Sequence, residues 1–338
     1  MPIDREVYDM GQLAVRTWMH SKLYVLRTEL APAKQAGKKH GAKVYFKLEN
    51  NQFTGSYHFR GAMARMKDNP AKKPFVTAST GNHAMGAALA AHALGTKVTI
   101  VMPELVQGHL LEKVKQYGAE VIHYGRNLNE ARAYANDLAE MSGHTYFSPY
   151  DDRLVIAGLG TVAVEVFQQF EALNKRIHNI FVPMSGGALV SGVGCFAKDA
   201  KRVAGLAGHS RPLCKVWGVT AMNSMALAAS LSAGFMVETE KSDTLAVAES
   251  DDIRRNEIAF HLSKRVVDHV IPCTEMEILA ALRQLHWQEK HLVDGFSALA
   301  LAGFNKVAGR LKGETSAIIL CGGNYEREKI PDILYNGL

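Results

Sequence analysis

The chain has 338 residues, of which 47% are hydrophobic and 21% are charged. This length allows two domains with sizeable cores, and the composition excludes an intrinsically disordered chain. The formal net charge is +6, but Lys and Arg are dispersed and interleaved with Asp and Glu. That pattern is typical of a solvated surface and does not indicate a nucleic-acid interface.

Membrane and targeting signals are not evident in the pattern either. No uninterrupted apolar run reaches the roughly 18 residues that span a bilayer. The first residues show no basic segment followed by an apolar stretch, so no signal peptide is predicted. The four cysteines lie far apart with no Cys-x-x-Cys pair, which favours reduced thiols in a cytoplasmic protein.

Short β-rich runs alternate along the chain with stretches of helical period. The predicted strands cover residues 44–48, 75–79, 97–102, 121–124, 180–184, 216–220 and 317–321. The predicted helices cover residues 83–94, 109–117, 128–141 and 161–172. Alternation of this kind predicts an α/β fold with parallel sheets covered by helices.

A loop that reads S-T-G-N-H at residues 79–83 opens the first of these helices. Its hydroxyls and the N–H groups at a helix start suit a carboxylate. The alternative is that Ser79 or Thr80 only caps the helix, and the two roles are compatible. The candidate substrate-binding residues are Ser79, Thr80, Gly81 and His83. Of these, His83 is expected to be structural and not a proton carrier.

A glycine-rich loop follows the strand predicted at residues 180–184. Backbone N–H groups in such a loop approach an anion closely, and the dipole of the helix that follows attracts it. The alternatives are an ordinary strand-to-helix turn and a dinucleotide site, but the second lacks the G-x-G-x-x-G spacing and the acidic residue after the next strand. The candidate phosphate ligands are Ser185, Gly186, Gly187, Ala188 and Leu189.

Several further segments along the chain read as sequence motifs. They are K-x-E-x-x-Q at 47–52, T-G-S-Y-H-F-R-G-A at 54–62, A-G-L-G-T at 157–161 and C-G-G-N at 321–324. Together with the two loops above, they resemble the motifs of the serine/threonine dehydratase (ammonia-lyase) and serine racemase family of pyridoxal 5'-phosphate (PLP) enzymes. The resemblance runs from about Gln12 to about Asn324, which is nearly the whole chain.

The resemblance implies specific roles for residues at the cofactor. His58 occupies the position of the lysine that forms the Schiff base with the PLP aldehyde in that family. Imidazole has no primary amine, so the covalent anchor is missing. Asn82 is implied to bind the phenolic oxygen of PLP. Thr80 lies where the racemases carry a serine that acts on the opposite face of the substrate, so His58 and Thr80 are the candidate catalytic positions.

Cys321 falls where the family places Ser, Thr or Cys beside the pyridine nitrogen of PLP. A thiol there does not force protonation of the ring as an Asp does, which favours elimination or racemisation over transamination. The alternative is a buried cysteine that packs as a small hydrophobic residue.

The fold implied by the resemblance is PLP fold type II, like that of tryptophan synthase β, with two parallel or mixed sheets covered by helices. Residues 1–66 and 154–338 are expected to form the large PLP-binding domain, and residues 67–153 a small inserted domain. A homodimer is also implied. The acidic pair of the metal-activated racemases is not evident in the sequence, so no metal site is predicted.

The function implied is that of an ammonia-lyase. In a lysine-bearing form, residue 58 would take the α-proton of a small β-hydroxy amino acid, water would leave from Cβ, and a 2-oxo acid and ammonia would result. With His58, the chain is expected to hold PLP non-covalently and to turn over slowly or not at all. An amino-acid racemase and a non-catalytic PLP or amino-acid binding protein stay open. So do two origins of His58: deliberate replacement of the lysine, and a naturally lysine-free chain.

Overall fold

The computed structural model describes residues 4–106, 109–203, 214–240, 242–247, 257–324 and 335. In these residues the helices are α1 (Arg5–Ser21), α2 (His58–Lys67), α3 (Asn82–Leu94), α4 (His109–Gln116), α5 (Leu128–Ser142), α6 (Arg153–Ala172), α7 (Ala188–Val203), α8 (Ala226–Ala233), α9 (Glu257–Val266), α10 (Glu275–Gln284) and α11 (Gly295–Val307). The strands are β1 (Leu30–Pro32), β2 (Lys43–Leu48), β3 (Phe75–Ala78), β4 (Val98–Met102), β5 (Glu120–His123), β6 (Thr145–Tyr146), β7 (Asn179–Pro183), β8 (Lys215–Ala221), β9 (His269–Cys273) and β10 (Thr315–Leu320).

The strands form two sheets. The larger has six strands in the order β1-β2-β10-β7-β8-β9, and the smaller has four in the order β5-β4-β3-β6. All pairs are parallel except β1 with β2. Because β2, β10 and β7 are adjacent and parallel, their carboxyl ends lie at one edge of the large sheet. The α/β fold expected from the sequence is confirmed.

The small sheet comes entirely from residues between β2 and β7 in the chain. This order agrees with an inserted unit, while the boundaries proposed at residues 66/67 and 153/154 stay predictions. The seven strands predicted from the sequence all occur, with ends within two residues of those expected.

The start of α6 was predicted wrongly, at residue 161 instead of Arg153. The Asp152 carboxylate caps the helix earlier by accepting the N–H groups of Leu154 and Val155, and the A-G-L-G-T segment lies inside it. A Cβ added at Gly158 would lie 2.6 Å from the carbonyl oxygen of Arg60. The glycine therefore allows close packing of α6 against α2 and is not part of a loop.

Helix α6 is also long and apolar enough to cross a membrane by length and composition. This finding qualifies the expectation that no stretch reaches that length. However, 72% of its most apolar window is buried inside the protein, because α6 packs against α1, α2 and α7.

Four buried charges join β2, α2 and α6. Lys47 Nζ lies 2.6 Å from Glu165 Oε2, and the Arg60 guanidinium lies 2.7 Å from Glu49 and 2.8 Å from Glu165. Each of these side chains is at most 2% exposed. Two cations facing two anions leave no net charge, which is the condition under which ions are tolerated inside a protein.

The charges of this cluster act on the pKa values of its own members. Burial alone would raise the pKa of Glu49, but the charge and hydrogen bonds of Arg60 hold that pKa below its ordinary value. Burial acts against the charge of Arg60 as well, yet Glu49 and Glu165 raise its pKa above the ordinary value. Burial lowers the pKa of Lys47, and the charges of Glu49 and Glu165 oppose that shift. The removal of one member of the cluster would leave an uncompensated ion in the interior.

Replacing Glu165 by Leu should therefore destabilise the fold strongly, because Lys47 and Arg60 would then share a single carboxylate in the interior. We expect a loss of about 3 to 5 kcal/mol in the free energy of unfolding, measured by urea denaturation. The matched control is Arg126→Ala, which removes an exposed ion pair with Glu130 and should leave the urea midpoint close to that of the parent. Equal midpoints for all three proteins would contradict the prediction.

Candidate active site

The carboxyl-end edge of the large sheet carries most of the candidate site residues. Residues 49–58 follow β2, residues 185–187 connect β7 to α7, and residues 321–324 follow β10. In open α/β sheets, ligands bind outside the carboxyl ends of the strands. The topology therefore brings together three segments that lie far apart in the sequence.

The loop between β7 and α7 has the geometry of an anion site. Gly187 adopts φ +91°, in the left-handed region, and a Cβ added there would lie 3.0 Å from Leu227 Cδ2 and 3.2 Å from Ser263 Oγ. The loop opens the 16-residue helix α7, whose dipole is positive at this end. Residues 184–191 contain no acidic side chain. The helix start and the lack of acidic side chains are compatible with a phosphate group at this loop, which stays a prediction.

Gly187→Asp should abolish PLP retention, because a Cβ at this positive φ crowds Leu227 and Ser263 and so distorts the loop, and because the new carboxylate repels an anion there. The measurement is the absorbance of cofactor that stays with the protein through gel filtration. Gly118→Asp is the matched control, because Gly118 also has a positive φ, +80°, but nothing lies within 4 Å of its added Cβ. Unaltered PLP affinity in the Gly187 variant would refute the placement of the phosphate.

The loop at the start of α3 is held by Ser79. Its Oγ accepts the N–H groups of Gly81 at 3.2 Å and of Ala84 at 3.1 Å. Gly81 occupies the N-cap position of α3, so Ser79 satisfies an N–H of the first turn from two residues before the cap. Thr80 and Gly81 follow it and are partly exposed. A substrate carboxylate at this helix start stays a prediction, and the observed cap is compatible with it.

His83 is buried one residue into α3. The Thr77 hydroxyl donates to the carbonyl of Phe147 at 2.9 Å and so accepts from His83 Nε2 at 3.0 Å. Burial, followed by the charges of His58 and Arg132, holds the pKa of His83 well below its ordinary value. A neutral ring bonded to the core in this way supports the expected structural role.

His58 is the first residue of α2, with its ring half-buried. Its Nδ1 lies 2.9 Å from Ser56 Oγ, and its ring centroid lies 4.0 Å from that of Tyr57 and 6.2 Å from that of His83. Burial lowers the pKa of His58 to about 3. At neutral pH the ring is uncharged.

The lowered pKa makes a prediction about acid stability. Between the folded pKa of about 3 and the ordinary value of 6.5, the unfolded chain binds a proton at His58 and the folded chain does not. Stability from this group is complete above pH 6.5 and is lost as the pH falls towards 3. In urea unfolding, the parent should lose up to about 2 kcal/mol more than His58→Met between pH 7 and pH 5. Parallel losses in the two proteins would show that the ring is hydrated.

Cys321 ends the site on the β10 side and is buried. Burial, together with the charge of Asp294, raises the pKa of its thiol well above the ordinary value, so the sulfur stays protonated. Its Sγ lies 3.4 Å from the hydroxyl of Ser297. Ser297 Oγ in turn donates to the carbonyl of Gly322 at 2.6 Å and accepts the N–H of Gly322 at 2.7 Å.

Asp294 and Ser297 belong to none of the motifs described above. The structure gives both a place in the site. Asp294 Oδ1 accepts the N–H of Ser297 and caps α11, while its Oδ2 would lie 2.5 Å from a Cβ added at Gly322. Burial raises the pKa of Asp294. An Asp three residues before a Ser at a helix start is too common a pattern for the sequence alone to reveal this role.

The segments around His58 are joined by direct contacts. The N–H of Tyr57 donates to the carbonyl of Cys321, and the N–H of Gly323 donates to the carbonyl of Gly55, both at 3.0 Å. On the other side, a Cβ added at Gly86 in α3 would lie 3.0 Å from the carbonyl carbon of His58. The 54–58 segment is thus packed between residues 321–324 and α3. The 185–189 loop reaches the same place through the shared sheet edge.

Comparison with known proteins gives consistent relatives. Residues 22–322 match the family model described as pyridoxal-phosphate dependent enzyme. The chain is 34% identical over 302 residues to the catabolic L-threonine dehydratase TdcB of Staphylococcus aureus strain N315, with 87% of this chain and 83% of that protein covered.

Two solved structures show the same fold. The threonine deaminase from T.th. matches with a TM-score of 0.82 and 30% identity, covering 93% of this chain and 98% of that one. The serine racemase of Dictyostelium discoideum matches with a TM-score of 0.81 and 25% identity, covering 94% and 98%. The fold expected from the motifs is therefore shared with proteins of both named activities.

Proposed function

The chain belongs to the family of pyridoxal-phosphate-dependent enzymes, and we propose that its site is that of an ammonia-lyase acting on a small β-hydroxy amino acid to give a 2-oxo acid and ammonia. The observation that carries this proposal is that residues 54–58, Asn82 and residues 321–324 are in contact beside His58, at the sheet edge from which the 185–189 loop also leaves. The similarity to a threonine dehydratase over 87% of the chain supports the reaction class.

The residues of the site fit PLP part by part. Residues 185–189 would hold the phosphate, Asn82 would face the phenolic oxygen, and Cys321 would lie by the ring nitrogen. When bound, PLP supplies an electron sink for the bond changes at the amino-acid α-carbon. The high pKa of the Cys321 thiol keeps it from acting as a negative counter-charge to a protonated ring.

The remaining residues act on the amino acid. The helix start formed by Ser79, Thr80 and Gly81 would bind the carboxylate of the amino acid, since the N–H groups and the positive end of the dipole at a helix start attract an anion. Positions 58 and 80 would then lie on opposite faces of the amino acid, as the resemblance to the racemases implies. A lysine at position 58 would take the α-proton, and the departing hydroxyl would leave as water.

His58 changes what this chain achieves. Its neutral imidazole accepts or donates a hydrogen bond with Ser56, but it has no amine that condenses with an aldehyde. We infer that PLP is held here by non-covalent contacts alone and that turnover is slow or nil. The neutral ring also adds no charge that would alter the affinity for the cofactor phosphate.

Two other functions each have one observation in their favour. The similarity to a serine racemase, with Thr80 in the place of the second base, favours an amino-acid racemase. The absence of a lysine at position 58 favours a non-catalytic protein that binds PLP or an amino acid. The homodimer, the cytoplasmic location and the lack of a metal site remain predictions that accompany the proposal.

The decisive experiment is the His58→Lys form beside the parent and a His58→Met control. Methionine has nearly the length of lysine but no amine. With lysine, bound PLP should absorb at longer wavelength than the free aldehyde, and borohydride should attach the cofactor to residue 58, as seen by peptide mass. The parent and His58→Met should retain PLP without attachment.

The products of the lysine form then separate the candidate functions. Release of a 2-oxo acid from serine or threonine supports the ammonia-lyase, and formation of the D-amino acid supports the racemase. Attachment without turnover of any β-hydroxy amino acid supports the binding protein. If the lysine form does not take up PLP at all, the placement of the cofactor is wrong.

A further inference from the structure

Asn324 lies where three candidate cofactor-binding segments meet. Its side-chain Nδ2 donates to the carbonyl of Thr54 at 2.7 Å and to Oδ1 of Asn82 at 2.8 Å. We propose that Asn324 is a positioning residue, which orients the Asn82 amide so that its NH₂ group and not its oxygen is presented to the ligand. This inference rests on the PLP site proposed above and names the residue that sets its polarity.

The orientation of both amides follows from chemistry. A backbone carbonyl only accepts hydrogen bonds, so the atom of Asn324 that faces Thr54 must be the nitrogen. The second hydrogen of that nitrogen points to Asn82 and requires an acceptor there. Only the oxygen of the Asn82 amide satisfies this requirement. The Asn82 nitrogen is then directed away from Asn324 and acts as a donor.

Asn324 is itself held in place by the backbone. Gly55 has φ +70°, and a Cβ added there would lie 2.8 Å from Asn324 Oδ1, so only glycine leaves room for this side chain. The bond from the Gly323 N–H to the Gly55 carbonyl fixes the adjoining residue. The amide of Asn324 is thus held in one orientation, and its hydrogen bond to Asn82 Oδ1 holds the Asn82 amide in turn.

The consequence is selectivity for the ionised form of the cofactor. A fixed N–H donor binds a phenolate oxygen strongly, because hydrogen bonds to charged groups are the stronger ones. A freely rotating Asn82 amide would present its oxygen as readily and would then favour the protonated phenol. Asn324 would therefore lower the pH at which the bound phenol ionises, without touching the cofactor.

The test is a binding experiment with two probes, PLP and 3-O-methylpyridoxal 5'-phosphate, in which the phenolic oxygen carries a methyl group and cannot ionise. Affinities are measured by absorbance titration of the parent, Asn324→Ala, Asn324→Asp and the exposed control Asn51→Ala. We expect the parent and the control to prefer PLP, and the preference to fall about ten-fold in both Asn324 variants. A merely structural role would weaken both probes equally and leave the ratio unchanged.

A second reading uses the bound cofactor itself. The pH at which the phenol of bound PLP ionises should rise in both Asn324 variants. In an Asn82→Ala background, Asn324→Ala should change neither this pH nor the preference further, since Asn324 acts through Asn82. An unchanged ratio and an unchanged ionisation pH in correctly folded variants would overturn the role of Asn324 alone. Failure of the parent to bind either probe would overturn the PLP site and this inference with it.

Discussion

The buried cluster of Lys47, Glu49, Arg60 and Glu165 is the constraint on which the site depends. Its members come from β2, the turn after it, α2 and α6, and each ion is within 3 Å of an opposite charge. Such a cluster gains little net free energy over an apolar core, but separating any member would leave a buried ion unpaired. Arg60 lies in the first turn of α2, so its ion pairs with Glu49 and Glu165 hold the start of that helix in place. His58 lies in the same turn as Arg60, so these ion pairs also help to hold His58 at the sheet edge.

Much of this architecture is readable from the sequence, because β-rich runs and glycine loops are local patterns. All seven predicted strands occur, and the S-G-G-A-L loop lies at a helix start as its composition indicates. The start of α6 was misjudged because Gly158 looks like a loop residue until its close contact with Arg60 is known. Helix packing of that kind depends on the partner helix, which lies far away in the chain.

The polar contacts that support the site could not be predicted from the sequence for the same reason. K-x-E-x-x-Q and R-G-A are recognisable as motifs. Nothing in the neighbouring sequence indicates that Glu165 forms ion pairs with the Lys47 and Arg60 that they contain. Likewise, Ser297 binds both backbone groups of Gly322, and its distance in sequence gives no sign of this. Local structure is thus predictable where a loop or turn requires particular residue types, whereas the ion-pair and hydrogen-bond partners of a residue depend on the tertiary structure.

The site keeps its form although position 58 has no amine, and the reason lies in its bonding. The 54–58 segment is tied to residues 321–324 by backbone hydrogen bonds, and the β7–α7 loop gets its shape from the backbone of Gly187. None of these contacts uses the side chain of residue 58. Under the proposed placement of the cofactor, binding of the phosphate and attachment of the aldehyde would therefore be separable. The backbone would hold the phosphate whatever residue stands at position 58, so the form of the binding segments is no evidence for a covalent step.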